Sequence, residues 1–187
     1  RVQRLDGIYF NTDQDYELQN KNIKKTFLSS TGIIYQSNFN KNLINKYFGK
    51  HDNSVVIHNG ADLQAIQLAS PMKNDKYNKI WSCAASWRPH KRLNDNVNYF
   101  LEHAGPNDLM LVAGDVTGFD VVKDQKIKYL GNLQQNQLYS IYKACDTFVH
   151  LAWLDHCPNV VVDARASGCK IVCSSAGGTV EIAGKDA

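Results

Sequence analysis

Several common signatures are missing from this 187-residue chain, and each absence removes a class of reading. No run of apolar residues approaches the roughly 20 needed to span a bilayer, and no N-terminal apolar segment reads as a signal peptide. The five cysteines (Cys83, Cys145, Cys157, Cys169 and Cys173) are odd in number and form no C-x-x-C pair. Several stand in apolar stretches, where a free thiol behaves as a small hydrophobe. A reducing, cytoplasmic compartment is therefore expected. His58 adjoins an Asn-Gly turn and His156 adjoins Asp155, but no histidine pair has metal-ligand spacing. No structural zinc is expected. There is no Gly-x-Gly-x-x-Gly, no Walker A sequence and no Gly-x-Ser-x-Gly, so dehydrogenase, P-loop and hydrolase readings lack support. Of 21 basic residues only five are arginine, the lysines are scattered, and the net charge is a mild +3. Nucleic-acid binding usually needs a basic stripe, and none is visible.

What is present is an ordinary globular composition, long enough for one domain or for one domain with part of another. Arg1 to Phe10 opens abruptly, and Gln14 to Leu28 is polar with a helical pattern. Gly32 to Gln36 and Ser54 to Ile57 read as short strands. Asn38 is placed to cap a helix carrying Phe39, Leu43, Ile44, Tyr47 and Phe48, stopped by Gly49. Residues 64 to 79 read as a polar connector. Beyond them strand and helix alternate. Strands are expected at Ile80 to Ala85, Leu109 to Ala113, Ile127 to Leu130, Thr147 to Leu151 and Lys170 to Cys173. Helices are expected at Lys91 to His103 and Gln135 to Cys145. Apolar strands with short links imply a parallel sheet covered on both faces. Such sheets bind ligands beyond the carboxyl ends of their strands. Gly114, Gly131, Asp155 and Gly177-Gly178 all follow strands and would share that rim, although glycines after strands are also plain turn chemistry.

The stretch Asp155-His156-Cys157-Pro158-Asn159-Val160-Val161-Val162-Asp163 organises the rest. Proline suits a helix start and Gly168 suits the position past a helix end, so a helix is expected from about Pro158 to Ser167. Its first-turn amides and its dipole would make an anion site, with phosphate the usual occupant. Asp155 would lie near the anion. Asp163 would lie about 7 Å along the axis, at about 1.5 Å per residue. A carboxylate accepts two hydroxyl hydrogen bonds at once, which suits a ribose or sugar diol. An ordinary surface helix with solvated acids accounts equally well for this stretch taken alone. Trp87-Arg88-Pro89-His90-Lys91-Arg92 follows the first strand of the regular region. Its cations would face the same rim and suit a diphosphate.

In order, these segments resemble the C-terminal half of a retaining glycosyltransferase of the GT-B fold, family 4. Ile34 to Phe39 resembles the segment closing the N-terminal domain. Val56-Ile57-His58-Asn59-Gly60-Ala61-Asp62 resembles the interdomain V-I-x-N-G-x-D signature. Ser86 to Leu93 resembles the donor-phosphate loop. Leu133 and the Leu138 to Asp146 helix resemble the segment before the acidic loop. Asp155 to Asp163 and Gly177-Gly178-Thr179-Val180-Glu181-Ile182 resemble the paired-glutamate motif and the G-G-x-x-E turn. The match runs from about residue 30 onward. Both acidic positions, usually glutamate, are aspartate here. Ser86 stands where many members have arginine, leaving Arg88 as its substitute.

The resemblance implies a Rossmann-like, doubly wound α/β domain with a short remnant of the N-terminal domain. Residues 1–62 would end the N-terminal acceptor domain and carry the interdomain segment. Residues 63–79 would be a linker, and 80–187 a donor-binding domain truncated at its C-terminus. The acceptor site and an active-site histidine would belong to the part not in this sequence, so the chain alone is expected to transfer no sugar. By the same resemblance, Arg88, Lys91 and Asp155 would be the catalytic residues. The cations would neutralise the diphosphate, and Asp155 would hold sugar hydroxyls. Gly114, Leu133, Cys157, Pro158, Asn159 and Asp163 would bind the donor, with Asp163 on the ribose. No metal and no other cofactor would be needed. The expected partners are a nucleotide-sugar donor and an acceptor whose class (carbohydrate, lipid or protein) stays open, for a monomeric protein with a peripheral membrane location also open. A GT-B-fold nucleotide-sugar epimerase and a non-catalytic nucleotide-sugar-binding subunit are the alternatives.

Overall fold

A computed structural model describes residues 1–9, 16–185 and 187. The chain forms two compact units, Arg1–Asn59 and Gly60–Ala187.

The first unit holds β1 (Val2–Leu5), α1 (Tyr16–Ser29), β2 (Gly32–Tyr35), α2 (Asn38–Phe48) and β3 (Ser54–Val56). The strands pair in parallel in the order β1-β2-β3. The abrupt opening segment thus contributes an edge strand that its sequence did not announce. The expected helix from Gln14 begins outside the described residues and is described from Tyr16. Leu5, Phe27, Ile33, Tyr35 and Ile44 form the core. Ser37, not Asn38, caps α2. Its backbone is extended (φ −158°, ψ 166°), and its hydroxyl accepts the Asn40 N–H at 3.1 Å.

The second unit holds α3 (Leu63–Leu68), β4 (Ile80–Ala84), α4 (Leu93–His103), β5 (Leu109–Ala113) and β6 (Ile127–Gly131). It continues through α5 (Gln135–Ala144), β7 (Thr147–His150), α6 (Asn159–Ala166), β8 (Lys170–Cys173) and α7 (Thr179–Ala183). Its five parallel strands run in the order β6-β5-β4-β7-β8. Alternate side chains go to opposite faces. Ile80, Ala84, Leu109, Leu111 and Ala113 pack under α5 and α6. Trp81, Cys83, Met110 and Val112 pack with Leu93, Val97 and Phe100 of α4. The sheet is therefore covered on both faces, as its apolar strands demand.

Residues 63–79 were expected to be a linker, but they belong to this unit. Asp62 caps α3 by accepting the Ala65 N–H at 2.9 Å. Ile66 is buried, and Ala65, Ala69, Met72 and Tyr77 pack on the same core. The polar look of the stretch reflects one thin apolar stripe, too short to show periodicity. Another departure concerns the helix expected from Lys91. Pro89–Lys91 form a separate 3₁₀ turn, and Arg92 lies in the left-handed region (φ 56°) before α4 begins.

Candidate functional site

In the order β6-β5-β4-β7-β8, successive strands are added outward from β4 on one side and then from β7 on the other, so the order switches between β4 and β7 while all strands stay parallel. The loops after these two strands leave in opposite directions and open a crevice at the switch point, where α/β sheets bind ligands. The loop after β4 carries Arg88 and Lys91. The loop after β7 carries Asp155, Cys157 and Pro158.

The two loops are tied at several points. Lys91 Nζ donates to both Asp155 oxygens at 2.6 Å. The Trp153 N–H donates to the His90 carbonyl at 2.8 Å. Arg92 reaches the Leu151 carbonyl at 3.3 Å and lies 4.9 Å from the Trp153 ring centre. Asn96, buried on α4, donates to the carbonyls of Lys91 and Arg92 at 3.0 and 2.6 Å and accepts the Leu151 N–H at 2.9 Å. Among the described residues, two non-glycine residues adopt positive φ, Arg92 at 56° and Leu154 at 55°. Each adjoins one partner of the Lys91–Asp155 pair. Backbone strain of this kind persists where surrounding contacts over-determine it, often at functional sites.

Asp155 has a third partner. His150, the last residue of β7, places Nε2 2.6 Å from Oδ2. Side-chain exposure is 17% for Lys91, 16% for Asp155 and 4% for His150. Burial alone would raise the Asp155 pKa. The His150 hydrogen bond and the Lys91 ammonium outweigh it and bring the carboxyl down to about 2. An ionised carboxylate only accepts, so Nε2 carries the hydrogen. Aspartate, though one methylene shorter than glutamate, reaches both partners here.

The glycine turn after β8 completes the Asp155 surroundings. The Gly178 N–H donates to the Asp155 carbonyl at 2.7 Å. Gly177 has φ +87°, and a Cβ there would sit 2.7 Å from the same carbonyl oxygen. Gly114, after β5, is similarly constrained: at φ +109° a Cβ would lie 2.1 Å from the Ala85 carbonyl oxygen. Only glycine allows that approach.

Helix α6 starts one residue later than expected, with Pro158 as its extended N-cap rather than its first residue. The amides of Val161 and Val162 donate to the Pro158 carbonyl at 3.1 and 3.2 Å. The helix ends as expected. Gly168 (φ 99°) donates to the Arg165 carbonyl and Cys169 to the Ala164 carbonyl, a Schellman closure. Val161 and Ala164 are fully buried, so packing on the sheet holds three adjacent valines helical.

Asp163 lies on this helix in other company. Burial first, and then the Asp62 carboxylate, raise its pKa. The Tyr139 and Tyr142 hydroxyls of α5 both feel its charge. Leu133, half-buried after β6, lines an open groove of about 800 Å³ with Ala65, Leu68, Met72 and Tyr139. That groove does not include Arg88, Lys91 or Asp155. The charged crevice, not that groove, holds the perturbed carboxylate and its cation. Arg88 is exposed beside the 3₁₀ turn, Asn159 is exposed at the start of α6, and Cys157 and Pro158 are buried. His150 and Asn96 were not among the expected site residues. The sequence signal for His150 is a titratable residue directly after the apolar Phe148-Val149 of an expected strand.

Among the described residues, no group of three or more His, Cys, Asp or Glu could hold a metal ion, and no helix is long and apolar enough to cross a membrane.

Residues 101–187 match the sequence profile of the family described as "Glycosyl transferases group 1". No curated protein matches the chain. Solved structures do. The Anabaena protein Alr3699/HepE in complex with UDP-glucose superposes with TM-score 0.75 at 17% identity, over 96% of this chain and 54% of that one. Sucrose-phosphate synthase from Thermosynechococcus elongatus gives 0.73 at 14%, over 95% and 50%. An α,α-trehalose-phosphate synthase (UDP-forming) from Burkholderia vietnamiensis gives 0.72 at 12%, over 96% and 55%. The chain thus spans about half the length of these proteins. The likeness establishes the fold: a Rossmann-like, doubly wound α/β domain like the C-terminal domain of GT-B proteins.

Proposed function

We propose that this chain is the donor-binding part of a GT-B glycosyltransferase, of family 4 and retaining. It would bind a nucleoside-diphosphate sugar and pass the sugar to an acceptor. The observation that carries the reading is the Lys91–Asp155 pair at the switch point of the parallel sheet, next to the start of α6. The family match over residues 101–187 supports it, as does the UDP-glucose named for the Anabaena protein.

In sugar transfer the bond between the anomeric carbon and the donor phosphate breaks, and negative charge grows on the departing diphosphate. Groups that meet this charge as it develops lower the barrier. Lys91, with Arg88 exposed beside it, supplies that charge, and the backbone from Cys157 to Asn159 at the positive end of α6 adds to it. Protein cations do what a divalent ion does elsewhere, so binding requires no metal. Asp155 holds sugar hydroxyls, and Asp163 holds the ribose diol five residues into the helix. Gly114 and Leu133 border the nucleotide from the ends of β5 and β6.

Calorimetry with UDP and UDP-glucose in EDTA tests this division. Asp163→Ala removes a charge-assisted hydrogen bond of ~1.5–3 kcal/mol, so both ligands should bind about 10- to 150-fold more weakly. Asp155→Ala should weaken UDP-glucose and leave UDP nearly untouched, because only the sugar reaches it. Circular dichroism checks that both variants fold. Unchanged UDP affinity in Asp163→Ala, or one common ligand profile for both variants, would refute these roles. Binding that appears only with added magnesium or manganese would refute the metal-free site.

A further inference from the structure

Lys91 has three N–H donors, and two of them already go to Asp155 at 2.6 Å. A diphosphate that recruits Lys91 must draw the ammonium at least partly away from the carboxylate. Asp155 stands on a loop, next to Leu154 at φ 55°. Losing Lys91 would leave that carboxylate free to swing just when its position matters.

His150 supplies the fixed partner. It is the last residue of a central strand, 4% exposed, paired in register with Cys173 of β8. Its carbonyl accepts the Ser174 N–H at 3.4 Å, and its ring stacks on Phe148 at 6.4 Å and 14°. Nothing about that placement depends on Lys91. His150 also binds a single oxygen, Oδ2, whereas Lys91 spans both.

We propose that His150 is a positioning residue for the donor sugar: its Nε2–H holds Asp155 by Oδ2 when Lys91 turns to the diphosphate, leaving Oδ1 to accept a sugar hydroxyl. This rests on the donor reading given above and adds a residue to it. The role is unequal between the two halves of the donor. The sugar contact depends on His150, and the nucleotide contact does not.

The test compares wild type, His150→Phe, which keeps a ring but no donor, and His150→Gln, whose amide can donate from a similar place. Nitrogen-15 NMR of the ligand-free chain should show His150 as the Nε2–H tautomer. In calorimetry, His150→Phe should bind UDP-glucose about tenfold more weakly, the loss of one hydrogen bond to a charged group, while UDP affinity changes by less than about twofold. His150→Gln should recover most of the UDP-glucose affinity. The inference is overturned by an Nδ1–H tautomer, by equal losses for UDP and UDP-glucose, by an unaffected UDP-glucose affinity in His150→Phe, or by His150→Gln behaving like His150→Phe. If wild type prefers another base, the same comparison is made with that nucleoside diphosphate and its sugar; a wild-type chain that binds none of the UDP, GDP and ADP sugars refutes the donor reading itself and takes this role with it. That failure shows in the wild type, whereas failure of the His150 role alone shows only in the variants.

Discussion

Asp155 and Asp163 have the same side chain and only seven residues between them, yet their surroundings push them in opposite directions. Asp155 sits between an ammonium and an imidazole N–H, and its carboxyl falls to about 2. Asp163 sits half-buried, and burial first and then the charge of Asp62 raise its carboxyl. The first is a carboxylate locked ionised by built-in partners. The second is a carboxylate whose charge is disfavoured by burial and by a like charge. The pair shows how one loop and one helix can offer two kinds of acid, one held ionised by built-in partners and one pushed toward its protonated form.

The contrast can be broken most forcefully at Gly177. A methyl group there meets the Asp155 carbonyl at 2.7 Å and must also tolerate φ +87°. Overpacking and left-handed strain together should make Gly177→Ala about 3 kcal/mol less stable in urea unfolding. It should also weaken UDP-glucose binding by moving the Asp155 backbone. A change below about 1 kcal/mol would mean that the turn yields freely.

Asp155→Asn should cost about 2 kcal/mol at pH 7, because Lys91 and His150 lose a charged acceptor in a mostly buried place. The same pair sets an acid limit. A carboxyl lowered from 3.8 to about 2 on folding stabilises the fold fully above the unfolded value. That contribution is lost as pH falls through the folded one. The stability gap between wild type and Asp155→Asn should therefore be constant above about pH 5 and close between about pH 4 and 2. A gap independent of pH in that range would show that the pair is not what lowers Asp155.

The smallest effect is expected at the other acid, with the opposite sign. A carboxyl raised on folding stabilises below its unfolded value and loses that contribution as pH rises through the folded one. Asp163→Asn removes the repulsion with Asp62, so it should raise stability at pH 7 by a few tenths of a kcal/mol. At low pH, where both acids are protonated, it should change little. Destabilisation at pH 7 would show that Asp163 already has a cationic partner.

Much of this was legible in the chain. The alternation of apolar strands and amphipathic helices from Ile80 onward encodes a covered parallel sheet, because each period can bury its stripe in only one way. Gly168 after α6 and Gly49 after α2 mark helix ends by conformational need. The acidic stretch and the basic loop stood out through residue type. The short α3 did not, since six residues hold too little pattern. β1 was equally silent, because an edge strand of four residues depends on its partner for definition.

What the sequence by itself determined is the layered α/β architecture and the list of chemically capable residues: Arg88, Lys91, Asp155 and Asp163. Periodicity and turn chemistry are local properties, readable over a few residues. Only the tertiary structure decided which of those residues meet. Strand order puts the loops after β4 and β7 side by side, so Lys91 reaches Asp155 across 64 positions of chain. It also sets His150 against the Asp155 carboxylate, while burial and then the charge of Asp62 act on Asp163, so the same side chain meets opposite electrostatics. Charge interactions depend on distance and burial, and neither exists until the sheet has formed.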